Sequence, residues 1–307
     1  MKVSEARILF MGSPDFAVPA LEQLALVSQI VAVVTQPDKP SGRGRIMQSP
    51  PVKLKALGLG IPVIQPEKVN DPLVIDQLNQ YKLDLVVVAA FGQILRKKIL
   101  ELTPFGCVNI HASLLPRWRG AAPIQACILA DDEQTGVTIM KMDAGVDTGP
   151  ILNQAAIPID PEDTGGILFD KLSTLGGNLL VETLPGYLSG KILPENQDDK
   201  QATYAPMLKK EEGFLDTTLP ADLLVRKVRA FNPWPGTYID FNGNPMKVHK
   251  AHAEFGSERS GLRIVRDGLP AITTSNGYLV LDVVQPSGKK KMPGEAFLAG
   301  ARNWPTF

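Results

Sequence analysis

Short apolar runs alternate with helix-length amphipathic segments over the first half of the chain. The runs that predict buried strands are RILFMG (7–12), IVAVVTQPD (30–38), LDLVVVAAFG (83–92), CVNIH (107–111) and TGVTIMKMD (135–143). Segments with helical spacing of apolar residues lie between them, for example AVPALEQLALVS (17–28) and DPLVIDQLNQY (71–81). Near-continuous Val/Ile/Leu strands joined by helices are typical of a parallel sheet covered on both faces. The pattern therefore predicts an α/β fold with a doubly wound sheet, whose ligands bind beyond the carboxyl ends of the strands.

The character of the sequence changes near residue 194. The stretch PENQDDKQATYAP (194–206) is polar, flanked by proline and poor in large apolar residues, which predicts an interdomain linker. Beyond it, short strand-like runs are separated by N-G, D-G and S-G pairs. Such turns between short strands are typical of a small barrel or sandwich. We therefore expect a first domain over 1–193, a linker over 194–206 and a second domain over 207–307.

Composition adds one asymmetry to this picture. The chain has 307 residues, 44% hydrophobic and 21% charged, which fits a globular protein of one large or two ordinary domains. Lys+Arg and Asp+Glu each total 32, so no overall charge selects a polyanionic partner. Residues 207–307, however, carry 14 basic and 10 acidic side chains. This local excess is compatible with a polyanionic partner for the second domain without establishing one.

Several features favour a soluble, cytoplasmic protein with no membrane partner. Cys107 and Cys127 have neither metal-ligand nor disulfide-framework spacing, so no metal site and a reducing compartment are expected. The N-terminal MKVSEARILFMG contains a glutamate and leads directly into a strand, unlike a signal peptide. The longest apolar run, LVVVAAF, is too short to span a bilayer. Near-neutral charge and the lack of a heptad pattern favour a monomer.

The candidate chemistry begins at the end of the strand CVNIH. Alternation places Cys107, Asn109 and His111 on one face of that strand, with His111 at its carboxyl end. Cys107 and the next residue on that face are about 6.5–7 Å apart, which is long for a nucleophile and its base, so Cys107 is interpreted as a core residue. An asparagine amide can donate to an oxyanion, and a histidine can donate or exchange a proton near neutral pH. An isolated N-x-H pair is also compatible with a simple strand cap.

A second loop makes the catalytic interpretation stronger. In DAGVDTG (143–149), Gly145 and Gly149 bracket Asp147 directly after another predicted strand, so its carboxylate can reach the same sheet edge as His111. A carboxylate beside a histidine orients the ring and stabilises its protonated form. The alternative for Asp147 is an ordinary turn-forming aspartate.

Two basic segments have open interpretations at this point. The loop QPDKPSGRGRIMQSPPVK (36–53) carries Lys39, Arg43 and Arg45 among Gly and Pro, with few residues able to pack. Its basic side chains are either solvated or bind phosphates. The cluster GKKKMPG (288–294) allows the same two interpretations.

Taken together, the motifs resemble those of the folate-dependent formyltransferases. NIHASLLPRWRGAAPIQ (109–125) followed by DAGVDTG is similar to the signature of that family. The QPDKPSGRGR loop, RAFNPWPG (229–236) and the C-terminal region resemble the members that act on methionyl-tRNA. The resemblance implies a Rossmann-like, mostly parallel N-terminal domain that binds 10-formyltetrahydrofolate, and an open, OB-like C-terminal β-barrel that helps hold initiator methionyl-tRNA. It implies transfer of the formyl group to the α-amine of the methionyl residue.

The resemblance also implies roles for individual residues. The family's catalytic asparagine, histidine and aspartate correspond to Asn109, His111 and Asp147. Its folate-binding segment corresponds to Ser113, Leu114, Leu115 and Pro116. Its tRNA-contacting loop arginine corresponds to Arg43, with Lys39 and Arg45 beside it.

Three rival functions are compatible with parts of the sequence. A formyltransferase acting on a sugar-nucleotide or ribonucleotide amine would use the same N-x-H and Asp chemistry, although PRWRGAAPIQ and the GRGR loop weigh against it. A formyl-folate hydrolase would leave the basic C-terminal region unexplained. A non-enzymatic tRNA- or RNA-binding protein would leave Asn109, His111 and Asp147 without a role.

Overall fold

A computed structural model describes residues 1–41, 46–301 and 303–305 of the chain. Its α-helices are α1 (Val18–Val27), α2 (Pro51–Gly58), α3 (Pro72–Asn79), α4 (Lys97–Leu100), α5 (Pro123–Leu129), α6 (Gly165–Leu188), α7 (Ala221–Ala230) and α8 (Gly294–Gly300). The strands of its first part are β1 (Arg7–Gly12), β2 (Gln29–Val34), β3 (Lys39–Ser41), β4 (Ile46–Gln48), β5 (Val63–Ile64), β6 (Leu85–Ala89), β7 (Cys107–His111), β8 (Arg119–Gly120), β9 (Gln134–Lys141), β10 (Ile151–Pro158) and β11 (Tyr204–Ala205). The remaining strands are β12 (Thr237–Phe241), β13 (Asn244–Glu254), β14 (Arg263–Arg266), β15 (Leu269–Thr273), β16 (Tyr278–Gln285) and β17 (Met292–Pro293).

Contacts divide the chain into two compact units. The first contains residues 1–123, 134–157 and 169–205, and the second contains 124–133, 158–168 and 206–307. Both units thus draw on segments from before residue 206, which a linear pattern of elements does not reveal. The predicted division into 1–193, 194–206 and 207–307 stays a prediction. Within the described residues, no helix combines the length and apolar character needed to cross a membrane.

The first unit is built on a mixed, mostly parallel sheet, as the sequence predicts. Its strand order is β10-β9-β7-β6-β1-β2-β5. The pairs β1–β2, β1–β6, β6–β7 and β2–β5 are parallel, with Phe10 of β1 opposite Val33 of β2 and Val87 of β6. Strand β9 runs antiparallel to β7, with Ile110 opposite Ile139. The apolar run at 135–143 therefore forms a strand as predicted. Its antiparallel direction could not be predicted from the spacing of apolar residues.

The core of this unit follows from its strand composition. On one face, Leu9, Met11 and Val86 of the central strands are wholly buried and pack with the buried Leu78 of α3. Helix α3 begins where Asp71 caps it by accepting the N–H of Leu73, with proline at its first position. The apolar runs thus determine where the strands of the sheet lie. Local caps such as Asp71 determine where the helices that cover it begin.

The second unit is built on an antiparallel β-sheet, consistent with the OB-like barrel that the resemblance implies. Its strands follow the order β12-β13-β16-β15-β14, and β17 pairs with β16. Two-residue turns at Asn242–Gly243 and Asp267–Gly268, all with positive φ, join the hairpins that the N-G and D-G pairs predict. Strand β13 is irregular between Val248 and Ala251, a bulge that bends a long strand and increases its twist.

The segment 194–206 follows the surface of the first unit. Glu195 pairs with Ile151 through two backbone hydrogen bonds of 2.7 and 2.8 Å. Farther along, β11 pairs in parallel with β8, and Ala205 lies opposite Gly120. The polar composition of this stretch predicts an interdomain linker; most of its residues are exposed, and its backbone pairs with Ile151 and with the loop that follows β7.

Candidate active site

The carboxyl end of β7 carries the first two candidate residues, as predicted. β7 lies between parallel β6 and antiparallel β9, so Asn109 is opposite Val88 on one side and Met140 on the other. The His111 side chain is buried, with 6% exposed, whereas Asn109 is half-buried. The sheet therefore holds the imidazole rigidly and leaves the amide accessible.

Both nitrogens of the His111 ring face a protein group. Nε2 lies 2.9 Å from the carbonyl oxygen of Trp118. Because a carbonyl oxygen only accepts, Nε2 carries a proton in this arrangement. Nδ1 lies 3.6 Å from Oδ2 of Asp147, farther than a normal hydrogen bond, and the two groups attract as ions only when Nδ1 is protonated as well. The Trp118 carbonyl thus sets the ring orientation that turns Nδ1 toward the carboxylate.

Asp147 is held against the loop that follows β7. Its Oδ2 accepts the backbone N–H of Gly120 at 2.9 Å, and its backbone is in the left-handed region with φ of 53°. The loop reaches this position because Gly149 packs against the Lys141 backbone, where a Cβ would lie 1.9 Å from the carbonyl oxygen. The structure therefore brings together His111 and Asp147, which are 36 residues apart in the sequence. Their catalytic roles stay predictions.

The predicted folate-binding segment is tightly built, with only part of it accessible. Ser113 is 1% exposed, and its hydroxyl donates to the Arg117 carbonyl at 2.6 Å. Leu115 is 3% exposed, and its N–H donates to Oγ1 of Thr138 at 3.0 Å. Leu114 and Pro116 are half-buried. These two are the more exposed side chains of the segment.

One of the predicted tRNA-binding residues, Lys39, lies on a short hairpin. Lys39 is exposed at the start of β3, which pairs antiparallel with β4. Arg43 and Arg45 lie outside the described residues. Ile46 and Met47 on β4 are exposed, 68% and 59% respectively. Nothing in the described part of the hairpin tests the tRNA assignment, which stays a prediction.

Asp38 anchors the base of this hairpin, a role that sequence reasoning missed. Its carboxylate accepts from Lys53 Nζ at 2.7 Å, from Gln65 Nε2 at 2.8 Å and from Ser49 Oγ at 3.1 Å. The hydrogen bond from Gln65, followed by that from Lys53, holds the pKa of Asp38 below its usual value. Asp38, just before β3, therefore bonds to Ser49 and Lys53, which follow β4, and so links the two ends of the hairpin.

Arg119 and Gln197 are further residues at the site that sequence reasoning missed. The Arg119 side chain is 2% exposed, and its Nε and Nη2 both donate to Gln197 Oε1, at 3.0 and 2.8 Å. Gln197 in turn donates through Nε2 to the carbonyl oxygens of Asp147 and Gly149, at 2.8 and 2.7 Å. In the sequence, Arg119 stands out only as one residue of the PRWRG motif. Gln197 lies in a polar stretch whose composition does not indicate a catalytic or binding role.

Cys107 is a core residue, as expected. Its side chain is buried, its Sγ lies 3.5 Å from the Ile99 carbonyl oxygen, and burial raises the pKa of the thiol to about 12. A thiol in this state is a poor nucleophile. Among the described residues, no group of three or more His, Cys, Asp or Glu side chains is arranged to hold a metal ion.

Comparison with known proteins gives the class of protein to which this site belongs. Residues 6–184 match the family model described as formyl transferase, and residues 207–302 match that of the formyl transferase C-terminal domain. The chain therefore belongs to the formyl transferase family.

Full-length relatives place the chain more narrowly within that family. It is 48% identical over 297 residues to methionyl-tRNA formyltransferase of Trichlorobacter lovleyi, covering 96% of this chain and 94% of that protein. It is 47% identical over 300 residues to methionyl-tRNA formyltransferase of Myxococcus xanthus, covering 97% and 96%. It also resembles in fold an N-formyltransferase of Helicobacter canadensis solved with folinic acid and dTDP-3-aminofucose, at a TM-score of 0.67 and 18% identity, covering 92% and 99%.

Proposed function

We propose that the chain transfers the formyl group of 10-formyltetrahydrofolate to the α-amine of methionyl-initiator tRNA. The observation that carries the proposal is the pairing of His111 with Asp147 at 3.6 Å, beside Asn109, in a chain that matches methionyl-tRNA formyltransferases over 96% of its length. The sugar-amine formyltransferase shares the fold at 18% identity. Its likeness does not extend to the acceptor, because fold similarity alone does not define a substrate.

The reaction needs hydrogen-bond donors where negative charge develops. The α-amine attacks the formyl carbon, a new C–N bond forms, and the carbonyl electron pair moves to oxygen. When the tetrahedral intermediate collapses, the bond from carbon to N10 of the folate breaks and its electron pair stays on N10. The amine loses one proton and N10 gains one. In our proposal, the Asn109 amide and the protonated His111 ring donate to the oxyanion, and loss of one such donor costs about 10²–10³-fold in rate.

The site geometry favours Nδ1 as the imidazole nitrogen that serves the substrate. Nε2–H is engaged by the Trp118 carbonyl, and only Nδ1 faces the carboxylate of Asp147 across a gap of 3.6 Å. An oxygen of the reacting group can accept from Nδ1–H while Asp147 balances the positive charge of the ring. Asp147 accepts the Gly120 N–H, which holds its carboxylate beside the ring.

The two substrates are assigned to different surfaces. We place the folate against Ser113, Leu114, Leu115 and Pro116, where Leu114 and Pro116 are half-buried and accessible. We place tRNA phosphates on Arg43, Lys39 and Arg45, since a basic, glycine-rich loop suits a polyanion. The chemistry calls for no metal. We also propose that the protein acts as a monomer in the cytoplasm, where aminoacylated tRNA is used.

The proposal is tested by following a labelled formyl group. The full-length protein is incubated with labelled 10-formyltetrahydrofolate and, separately, methionyl-initiator tRNA, uncharged initiator tRNA, a sugar-nucleotide amine, or no acceptor. Label is expected in acid-stable amide linkage on methionyl-initiator tRNA alone. Faster labelling of the sugar amine, or free formate released at the same rate without any acceptor, would overturn the proposal.

A further inference from the structure

We infer that Gln197 and Arg119 form a positioning bracket that holds Asp147 and His111 at their working separation. In its effect on turnover, this inference rests on the proposed function. Neither residue is assigned a role in catalysis by the reaction chemistry itself. Arg119 is 2% exposed, so its guanidinium is sealed from any substrate and acts through its neighbours.

Gln197 joins the Arg119 side chain to the loop that carries Asp147. Its Oε1 accepts two hydrogen bonds from Arg119, at 3.0 and 2.8 Å. Its Nε2 donates to the carbonyl oxygens of Asp147 and Gly149, at 2.8 and 2.7 Å. Both protons of the amide and its oxygen are therefore used, which fixes the orientation of the group and makes it sensitive to chemical change.

The hydrogen bonds close into a ring around Asp147. Gly120, adjacent to Arg119, donates its backbone N–H to the Asp147 carboxylate at 2.9 Å, while Gln197 holds the Asp147 carbonyl. The backbone of Asp147 has φ of 53°, the left-handed region that aspartate adopts in turns. The bracket holds this turn from the carbonyl side.

The same bracket controls the other side of the imidazole. Trp118 precedes Arg119, and its carbonyl oxygen holds Nε2 of His111 at 2.9 Å. The backbone around it is fixed by β8 pairing with β11 and by Trp118 N–H donating to Thr203 Oγ1 at 2.9 Å. The Arg119 side chain also reaches Asp199 Oδ1 at 2.7 Å, so it is tied to the 197–205 segment at two points. The Trp118 carbonyl and the Asp147 carboxylate, which both face the His111 ring, are thus held in place by the buried Arg119 guanidinium and the Gln197 amide.

The decisive variant is Gln197→Glu. A carboxylate keeps the acceptor for Arg119 and adds a favourable charge, but it cannot donate to the Asp147 and Gly149 carbonyls. The buried Arg119 guanidinium therefore keeps its partner, while the link to the Asp147 loop is replaced by repulsion between the new carboxylate oxygen and the two carbonyl oxygens. Gln80→Glu, the same chemical change at an exposed position at the end of α3, is the matched control.

For Gln197→Glu we expect kcat with methionyl-tRNA to fall about 10- to 100-fold, the scale of a small misplacement of a catalytic group. The KM for formyl-folate should stay within about threefold, the pH profile of kcat should shift, and Gln80→Glu should match the wild type. A purely structural role would lower the thermal midpoint and leave the pH profile unchanged. A kcat within threefold of the wild type, or an unshifted profile, would overturn the inference.

A second readout works without any substrate. The chain has three histidines, His111, His249 and His252, so the ring resonances of His111 can be assigned by NMR. Gln197→Glu should shift the His111 ring signals and leave the other two in place; unchanged His111 signals would overturn the bracket. If the wild type failed to formylate methionyl-tRNA, the proposed function would fall, and this spectrum alone would decide the inference.

Discussion

Nε2 of His111 lies 2.9 Å from the carbonyl oxygen of Trp118, and this contact orients the imidazole so that its other nitrogen faces Asp147. The pair sits at the carboxyl end of a buried strand, where open α/β sheets bind their ligands. Because the backbone rather than a side chain orients the ring, substitutions at Asp147 can test its charge without removing the imidazole from its position.

Asp147→Asn should lower kcat by about 10²-fold, the scale of losing one preorganised electrostatic group. An asparagine oxygen still accepts the Gly120 N–H, so the loop geometry is kept and only the counter-charge of the His111 ring is removed. The measurement is kcat over a range of pH values. A shifted profile is expected, and a profile that overlays that of the wild type would separate Asp147 from the proton chemistry of His111.

Arg43→Ala should raise the KM for methionyl-tRNA and leave the KM for formyl-folate unchanged. If Arg43 neutralises one phosphate, the slope of log KM against log salt should decrease by about 0.7–0.9, as expected for one lost phosphate contact. Steady-state kinetics at several salt concentrations give this slope. An unaltered KM for tRNA at both low and moderate salt would remove Arg43 from the interface.

Asp38→Ala should weaken tRNA use through the hairpin that Asp38 anchors. Loss of the carboxylate removes its hydrogen bonds with Lys53, Gln65 and Ser49 together, so the base of the hairpin loses the group that these three share. We expect a several-fold increase in the KM for tRNA with kcat nearly unchanged. Asp76→Asn, an exposed acid on α3, is the control, and equal tRNA kinetics in the two variants would contradict an anchoring role.

The lowered pKa of Asp38 sets the sign of its pH dependence. The charged form is favoured in the folded state, so its stabilising contribution is present above the usual aspartate pKa. That contribution is lost as the pH falls through the lower, folded-state value. The difference in acid stability between wild type and Asp38→Ala should therefore vanish at low pH, which urea titrations at graded pH would measure.

Cys107 should be inert at neutral pH, because burial raises the pKa of its thiol to about 12. At pH 8 this leaves a thiolate fraction of about 10⁻⁴, too small for rapid alkylation. The unfolded chain ionises nearer 9.0, so Cys107 destabilises the fold as the pH rises from about 9 toward 12.

Cys107→Ala should accordingly retain kcat, and its stability relative to the wild type should improve above pH 9. Alkylation rates of native and urea-unfolded protein, with mass spectrometry to locate the label, check the first point. Rapid labelling of native Cys107 at pH 8 with loss of activity would contradict its assignment to the core.

The sheet and the catalytic candidates could be predicted because both follow from local pattern. Apolar runs predicted the strands and placed His111 at the end of one of them, while the catalytic roles of Asn109, His111 and Asp147 rest on the family resemblance and stay predictions. The N-G and D-G pairs likewise predicted the turns at Asn242–Gly243 and Asp267–Gly268. These features depend on residues close together in the sequence.

The remaining features depend on contacts that no local pattern encodes. Strand β9 has the apolar run of a buried strand, but its antiparallel pairing with β7 is set by the chain's path between them. Gln197 lies in a polar stretch, and its function arises from Arg119, 78 residues away, and from Asp147, 50 residues away. Polar composition predicted a linker there, because nothing local shows that an amide has partners so far along the chain.

The most direct test of the account is a single-turnover measurement of formyl transfer by wild type and His111→Ala, with formyl-folate affinity measured on the same samples. We predict that wild type moves the labelled formyl group from 10-formyltetrahydrofolate to methionyl-initiator tRNA. His111→Ala should bind the folate normally and transfer the label at least about 10²-fold more slowly. Transfer by His111→Ala at nearly the wild-type rate would contradict the assignment of the chemistry to this strand end.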